Sequence, residues 1–297
     1  MLVCVTGGTG FLGAHTVSAV VRAGHRVRLL VRDPARIEPA LGPLGVESGA
    51  VDVVVGDVTH EPAVALATRG ADAVLHLAAG RERVLRADSP VARPRDAYLA
   101  TKAAAETVAR DHQRADAPVV ITYPSALLGP HDPRLGDQNA RLRNALRGLM
   151  PMWSSGGFPV GDVRDTAAMH AGLLTGSPSG RCFGPGHYVS TREYLDTLRA
   201  VTGRGLPAVF LPAKAMLPMG LLTGVVQHVW PWHIPAEYGA IYTCDRAARV
   251  ADDADTSGVR PRPIGDTIRD TVSWLRRTGW LSERLAGALP PMPAVAR

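Results

Sequence analysis

The chain has 297 residues, 46% of them hydrophobic and 20% charged, with 33 Lys+Arg against 27 Asp+Glu for a net charge of +6. That length suits one large α/β domain or two smaller ones, and the ordinary apolar content with a small net charge excludes a disordered chain. Three cysteines (Cys4, Cys182 and Cys244), none in a CxxC pair, exclude a disulfide scaffold and fit a reducing compartment.

In chain order, LVCVT (2–6) reads as a buried strand, a Gly-rich turn follows, and a helix runs from about Phe11 to Ala23 until Gly24 ends it. HRVRLLVR (25–32) is a second strand and residues 33–50 a loose helix and loop. VDVVVGD (51–57) is a third strand, 61–69 a helix, and ADAVLHLAA (71–79) a fourth strand. This alternation predicts a parallel sheet covered by helices, and right-handed crossovers make a doubly wound Rossmann-type sheet the economical α/β topology. A helix over Ala97–Arg114 and a strand PVVITY (118–123) continue the pattern. Further on come helices at 140–150 and 191–203, and an amphipathic helix at 263–279 with Ile268, Val272 and Leu275 on one face. We expect a Rossmann domain over 1–130 and a smaller, mainly substrate-binding region over 131–290, with some segments returning to the sheet. A frayed tail is expected at 285–297.

The charge balance has little to say about partners. The chain has only two lysines, Lys102 and Lys214, and runs such as Arg276-Arg277 are short with acids nearby. No basic stripe with interleaved aromatics appears, so nucleic acid is not an expected partner. The opening MLVCVTGG has no charged region before its apolar run, which argues against a signal peptide and for a cytoplasmic location. Residues 215–236 carry no Asp, Glu, Lys or Arg, but Pro218, Pro231 and Pro235 interrupt them. A spanning helix wants about 20 predominantly apolar residues. The stretch therefore reads as a buried or pocket-lining helix, with membrane-surface contact by 213–232 as the weaker alternative.

TGGTGFLG (6–13) places Gly7, Gly10 and Gly13 at G-x-x-G-x-x-G spacing between a strand and a helix. Gly7 permits a tight turn, Gly10 lets the backbone approach a pyrophosphate, and Gly13 allows close packing. The helix start offers free N–H groups and a positive dipole end to phosphates. After the second strand, Arg32 stands where an acid would hold the ribose 2′-hydroxyl of NAD, and Arg36 follows. An arginine there favours NADP, with NAD as the alternative because Asp33 lies one residue on. Asp57, after the third strand, is placed to hold an adenine. Tyr98 and Lys102 are i and i+4 and share one helical face. A phenol is a poor acid–base at neutral pH, and a neighbouring ammonium favours its phenolate.

Together, TGGTGFLG (6–13), VRDPAR (31–36), GDVT (56–59), HLAA (76–79), YLATKAAAE (98–106), YPSALLGP (123–130) and DVRDTA (162–167) resemble the extended short-chain dehydrogenase/reductase superfamily. The similarity falls in its NAD(P)-dependent epimerase/dehydratase branch, nearest in flavour to dihydroflavonol reductases and 3β-hydroxysteroid dehydrogenases. The resemblance implies an oxidoreductase that moves hydride between NADP and a carbonyl or secondary alcohol, or an epimerase or dehydratase. It implies Tyr98 as general acid/base and Lys102 as its partner. It also implies cofactor contacts from Gly7, Thr9, Gly10, Phe11, Leu12 and Gly13, from Arg32, Asp57 and Val58, and from Leu77, Ala78, Lys102 and Tyr123.

The chain departs from that family between its fourth strand and the tyrosine helix. Only residues 80–97 lie there, with two prolines (Pro90 and Pro94), too few for the usual helix and strand that carry a catalytic Ser. One helix–strand unit thus looks lost around residues 80–86. Strand 118–123 would then follow strand 71–79 directly, and Thr122 or Ser125 could stand near the Ser position. The usual helical dimer surface would be incomplete, which leaves a monomer or an unusual homodimer. A binding protein with little or no turnover is the rival reading. Met, Trp, Phe and Pro in 150–162 and 225–235 could line an apolar pocket for a small substrate, although ordinary core packing also accounts for them. His228 and His233 lack metal-ligand spacing, so no metal is expected.

Overall fold

A computed structural model describes residues 1–75, 84–85, 97–176, 180–216, 244, 249–250 and 258–289, of which 84–85, 97–103 and 249–250 are described by their backbone. The first strands are β1 (Leu2–Thr6), β2 (Arg26–Val31), β3 (Val51–Val55) and β4 (Ala73–Leu75), which form a parallel sheet in the order β3-β2-β1-β4. Val3, Cys4 and Val5 are fully buried, as a strand covered on both faces requires. Helices α1 (Phe11–Arg22) and α2 (Ile37–Leu41) cover one face, where Val3, Val5, Val17, Val20, Leu29 and Leu41 pack together. Helix α3 (Glu61–Thr68) covers the other through Ala63 and Ala67 against Cys4 and Leu30. The fold is therefore a Rossmann-like, doubly wound α/β arrangement. The segment 33–50 resolves into α2 and short 3-10 turns.

Strand β5 (Val84–Leu85) pairs in parallel with β13 (Arg249–Val250). Helix α4 (Ala97–Arg114) leads to β6 (Val120–Tyr123), which pairs in parallel with β10 (Gly180–Phe183). The expected closure between the fourth strand and β6 falls on residues 76–79, outside the described residues, as does most of the shortened segment 80–97. What is described of β4 bears on it. Val74 is the register partner of the fully buried Cys4 yet is 52% exposed, so no described helix covers that end of the sheet.

A third helix, α6 (Val163–Thr175), lies beside α1 on the first face, and Ala171 and Leu174 join its core. His170 of α6 is wholly buried and ties the two strand groups together. Its Nδ1 meets the Thr16 hydroxyl of α1 at 3.0 Å and its Nε2 meets the Thr122 hydroxyl of β6 at 3.2 Å. Helix α4 packs on the opposite side of β6, through Ala109 against Ile121, Tyr123 and Phe183.

The second half of the chain has its own core. Strands β7 (Ala126–Leu128), β9 (Gly157–Asp162) and β11 (His187–Ser190) form a sheet in the order β11-β9-β7, and β8 (Met152–Ser154) pairs with β12 (Val209–Leu211). Around them stand α5 (Asp137–Leu146), α7 (Thr191–Thr202) and α8 (Ile264–Arg277). Ser190 caps α7 by accepting the Glu193 amide, and Gly203 ends it at φ +66°. The predicted stripe of Ile268, Val272 and Leu275 is fully buried on α8. Of the predicted frayed tail, residues 285–289 are seated in the core and 290–297 lie outside the described residues. A short helix α9 (Glu283–Ala286) and Leu289 seat Leu281, Ala286 and Leu289 in this core. Trp153 and Phe158 are core residues as well, packed against Tyr194, so the aromatic part of 150–162 serves packing rather than an open pocket. Residues 225–235 lie outside the described residues.

Candidate nucleotide-binding and catalytic site

Parallel pairing puts the ends of β1, β2 and β3 at one level. Thr6 pairs with Leu30, Val31 with Val55, and the Gly56 amide donates to the Val31 carbonyl at 2.9 Å. The Gly turn, Arg32 and Asp57 thus come together at the carboxyl edge of the sheet, where such folds bind ligands.

The turn depends on its three motif glycines for different reasons. Gly7 adopts φ +74°, a left-handed conformation that L side chains rarely adopt. Gly13 sits against the turn itself, where a Cβ would lie 2.0 Å from the Gly7 carbonyl oxygen. A Cβ on Gly10 would meet only that same oxygen, at 3.3 Å, so its outer side is open to a close-lying group. Gly10 is also the N-cap of α1, with no side-chain cap and no acid in the first turn. The first-turn amides therefore keep their hydrogen-bonding capacity and positive dipole end, which fits a pyrophosphate. Thr9, Phe11 and Leu12 are partly buried in this turn. Phe11 meets His15 edge-on at 5.6 Å, and His15 donates from Nε2 to the Pro130 carbonyl at 2.9 Å. Gly8, outside the predicted spacing, is tightly packed too, and a Cβ there would lie 2.7 Å from a Leu29 methyl, which would have to shift.

β2 ends at Val31, so Arg32 is the first residue beyond it. Its side chain is 74% exposed and its NH1 lies 3.8 Å from an Asp57 carboxylate oxygen. Asp33 is occupied elsewhere. It caps the following turn by accepting the Ala35 amide at 3.0 Å, and it takes Arg36 Nε at 3.2 Å. An Asp before a Pro at the first helical position is a capping signal that the sequence displayed. Asp57 is likewise fixed, since one carboxylate oxygen accepts both the amide (2.9 Å) and the hydroxyl (2.8 Å) of Thr59. Those two hydrogen bonds, with a smaller contribution from Arg32, hold its carboxyl below the usual range. Val58 beside it is half exposed. Leu77 and Ala78 lie outside the described residues.

Tyr98 and Lys102 fall on the first turns of α4, two turns and one turn before Glu106 on the same helical stripe. Glu106 is buried and fixes the helix to the sheet. It accepts Arg110 at 3.0 and 2.7 Å and pairs with Arg181 of β10. Gln113 adds a second bolt, donating to the Val119 and Gly180 carbonyls at 2.7 and 2.8 Å. The Tyr123 ring lies beneath this cluster, stacked on Phe183 at 5.1 Å and under the Arg181 guanidinium at 5.1 Å. Burial first, then Glu106, pushes its hydroxyl pKa far up. Tyr123 is thus a core residue with a buried phenol, and its carbonyl accepts the Gly184 amide at 2.9 Å.

Both hydroxyls considered for the Ser position make hydrogen bonds within the fold. Thr122 points to the α6 side of β6, opposite α4, where it meets His170. Ser125 donates to the Pro185 carbonyl at 3.4 Å between Gly161 and Gly186. The DVRD segment is a clasp between α6 and α8. Asp162 caps α6 by accepting the Arg164 amide, takes the Arg164 guanidinium at 2.9 and 2.7 Å, and accepts the Thr267 hydroxyl at 2.9 Å. Asp165 pairs with Arg262. No cluster of potential metal ligands occurs among the described residues. No helix among them is long and apolar enough to cross a membrane.

A parallel sheet with a glycine turn opening onto a helix at its carboxyl edge defines a dinucleotide-binding Rossmann protein. Residues 7–144 match the NAD(P)H-binding family model. A Synechocystis protein named for dihydroflavonol 4-reductase activity is 28% identical, over 93% of this chain and 95% of its own. That alignment runs to 344 positions, more than this chain has residues, so part of the relative faces gaps here. A nucleoside-diphosphate-sugar epimerase from Pseudomonas aeruginosa shares the fold at TM-score 0.71 and 17% identity, over 95% of this chain and 99% of that one. A dTDP-glucose 4,6-dehydratase from Streptomyces venezuelae, solved with NAD bound, does so at TM-score 0.68 and 20% identity, over 96% and 100%. Residues 7–144 thus form an NAD(P)H-binding domain, and the whole chain is similar to a protein named as a reductase and shares its fold with an epimerase and a dehydratase.

Proposed function

We propose that the protein is an NADP-dependent oxidoreductase acting on a carbonyl or secondary alcohol of a small, apolar substrate. The observation that carries the cofactor preference is the division of labour after β2. Asp33 is committed to its turn and to Arg36, whereas Arg32 is exposed with one loose partner. A 2′-phosphate would meet a cation there rather than an acid. When bound, NADP supplies or takes up the hydride.

The protein's own residues do the rest. The Gly7–Gly13 turn and the first amides of α1 receive the pyrophosphate. Tyr98 moves a proton to or from the substrate oxygen, and Lys102, one helical turn on, favours its phenolate and holds the ribose. Glu106 and Arg181 seat the helix that carries them. The Synechocystis relative named for a reductase activity, matched along most of both chains, supports reduction over epimerisation. The engaged hydroxyls of Thr122 and Ser125 favour a second reading, a nucleotide-binding protein with little turnover.

The test is a fluorescence titration of NADPH and NADH into the wild type, Arg32→Ala and Tyr98→Phe, followed by NADPH oxidation with a panel of apolar ketones. Tighter binding of NADPH, lost in Arg32→Ala, with Tyr98→Phe binding normally but turning over at least 100-fold more slowly, is the expected outcome. Binding without turnover on any ketone would favour the second reading. No binding of either nucleotide would overturn both.

A further inference from the structure

We infer that Asp57 is a specificity-determining residue which, by pairing with Arg32, moderates the preference for a 2′-phosphate. The inference deepens the NADP reading above and rests on it. Arg32 and Asp57 come from neighbouring parallel strands at the same carboxyl edge, and their charged groups lie 3.8 Å apart. The two sides of the pair differ in freedom. Asp57 has one oxygen fixed by the Thr59 amide and hydroxyl, and its other oxygen is the one that faces Arg32. Arg32 is the more exposed partner, at 74% against 38%. A pinned anion therefore stands beside an exposed cation, in the place where a phosphate bearing close to two negative charges would sit.

Two consequences follow from charge alone. The carboxylate competes with a 2′-phosphate for the guanidinium and cancels part of its field. A nucleotide with a plain 2′-hydroxyl asks nothing of Arg32 and is indifferent to the competition. The pair thus narrows the gap between the two dinucleotides and allows both to be used. Exposed ion pairs of this kind are weak, so the effect is a few-fold and fades with salt.

The test uses the full-length protein and two fragments that differ by one group, adenosine 2′,5′-bisphosphate and 5′-AMP. Their affinities are measured by calorimetry for the wild type, Asp57→Asn, Arg32→Ala and the double variant. Asn keeps the size of Asp57 and can still accept from Thr59. We expect the affinity ratio to widen about threefold in Asp57→Asn, to fall close to one in Arg32→Ala, and to stay there in the double variant. At 0.5 M salt the widening should largely vanish. A ratio that is unchanged or narrowed in Asp57→Asn overturns the inference. So does equal widening in the Arg32→Ala background, which would mean that Asp57 repels the phosphate without acting through Arg32. A wild-type preference abolished by Arg32→Ala upholds the NADP reading whatever Asp57→Asn does. If neither fragment binds the wild type, that reading falls and the inference falls with it.

Discussion

The two halves of the candidate site are built by different means. The nucleotide half, β1 to β3 with α1, is made of backbone: a positive φ at Gly7, a contact at Gly13 that leaves no room for a side chain, and amides with no cap. The half that carries Tyr98 and Lys102 is held by long side chains that reach between elements distant in sequence. Glu106 and Arg181 are 75 residues apart, and Gln113 and Gly180 are 67 apart. Backbone constraints act locally and tolerate no substituent. A buried ion pair tolerates a change of shape but not the loss of one partner. The first half should therefore fail sterically and the second electrostatically.

The largest expected effect tests the second half. Arg181→Met breaks the buried pair with Glu106 and should cost about 3 kcal/mol or more, moderated because Arg110 stays with Glu106. Urea unfolding would measure it, and a cost below about 1 kcal/mol would show that the cluster behaves as a surface pair. In the first half, Gly13→Ala must push a methyl into the Gly7 carbonyl, at a cost of up to about 3 kcal/mol, with nucleotide binding weakened at least 100-fold. Gly7→Ala has open space around its new methyl and only the φ +74° penalty, about 1 kcal/mol. Equal losses in the two alanine variants would refute the steric account of the turn.

The strut between the halves is sharpened by pH. Burial pushes both His170 and His15 down to about 4, from an ordinary value near 6.5. The unfolded chain therefore binds protons that the folded one refuses between pH 6.5 and 4. Stability is complete above pH 6.5 and falls as pH drops through that window, by about 2 kcal/mol per histidine at pH 5. Urea midpoints at pH 7 and pH 5 measure the loss, and His170→Asn should remove its own share of the pH dependence. A midpoint that does not move with pH would mean that neither ring is desolvated as placed.

Much of this was legible in the chain. LVCVT, the Gly-turn spacing and the 97–114 helix gave their positions directly, because each is decided by residues within a few positions of one another. The stripe of Ile268, Val272 and Leu275 was legible for the same reason. Other features were not. The commitment of Asp33 to its turn, the burial of the Tyr123 ring and the turning of Thr122 toward His170 each depend on which partner stands opposite. Trp153 and Phe158 fitted either a pocket or the core, and Tyr194 packed against them decides for the core.

The sequence by itself determined the order of strands and helices as far as residue 123 and the glycine turn between β1 and α1, since hydrophobic period and glycine freedom are local properties. Only the tertiary structure decided which polar side chains remain available to a ligand. That availability depends on contacts across tens of residues. Asp33 and Asp57 are both acids just past a strand end, yet one closes its own turn and pairs with Arg36, while the other faces Arg32 across the edge of the sheet.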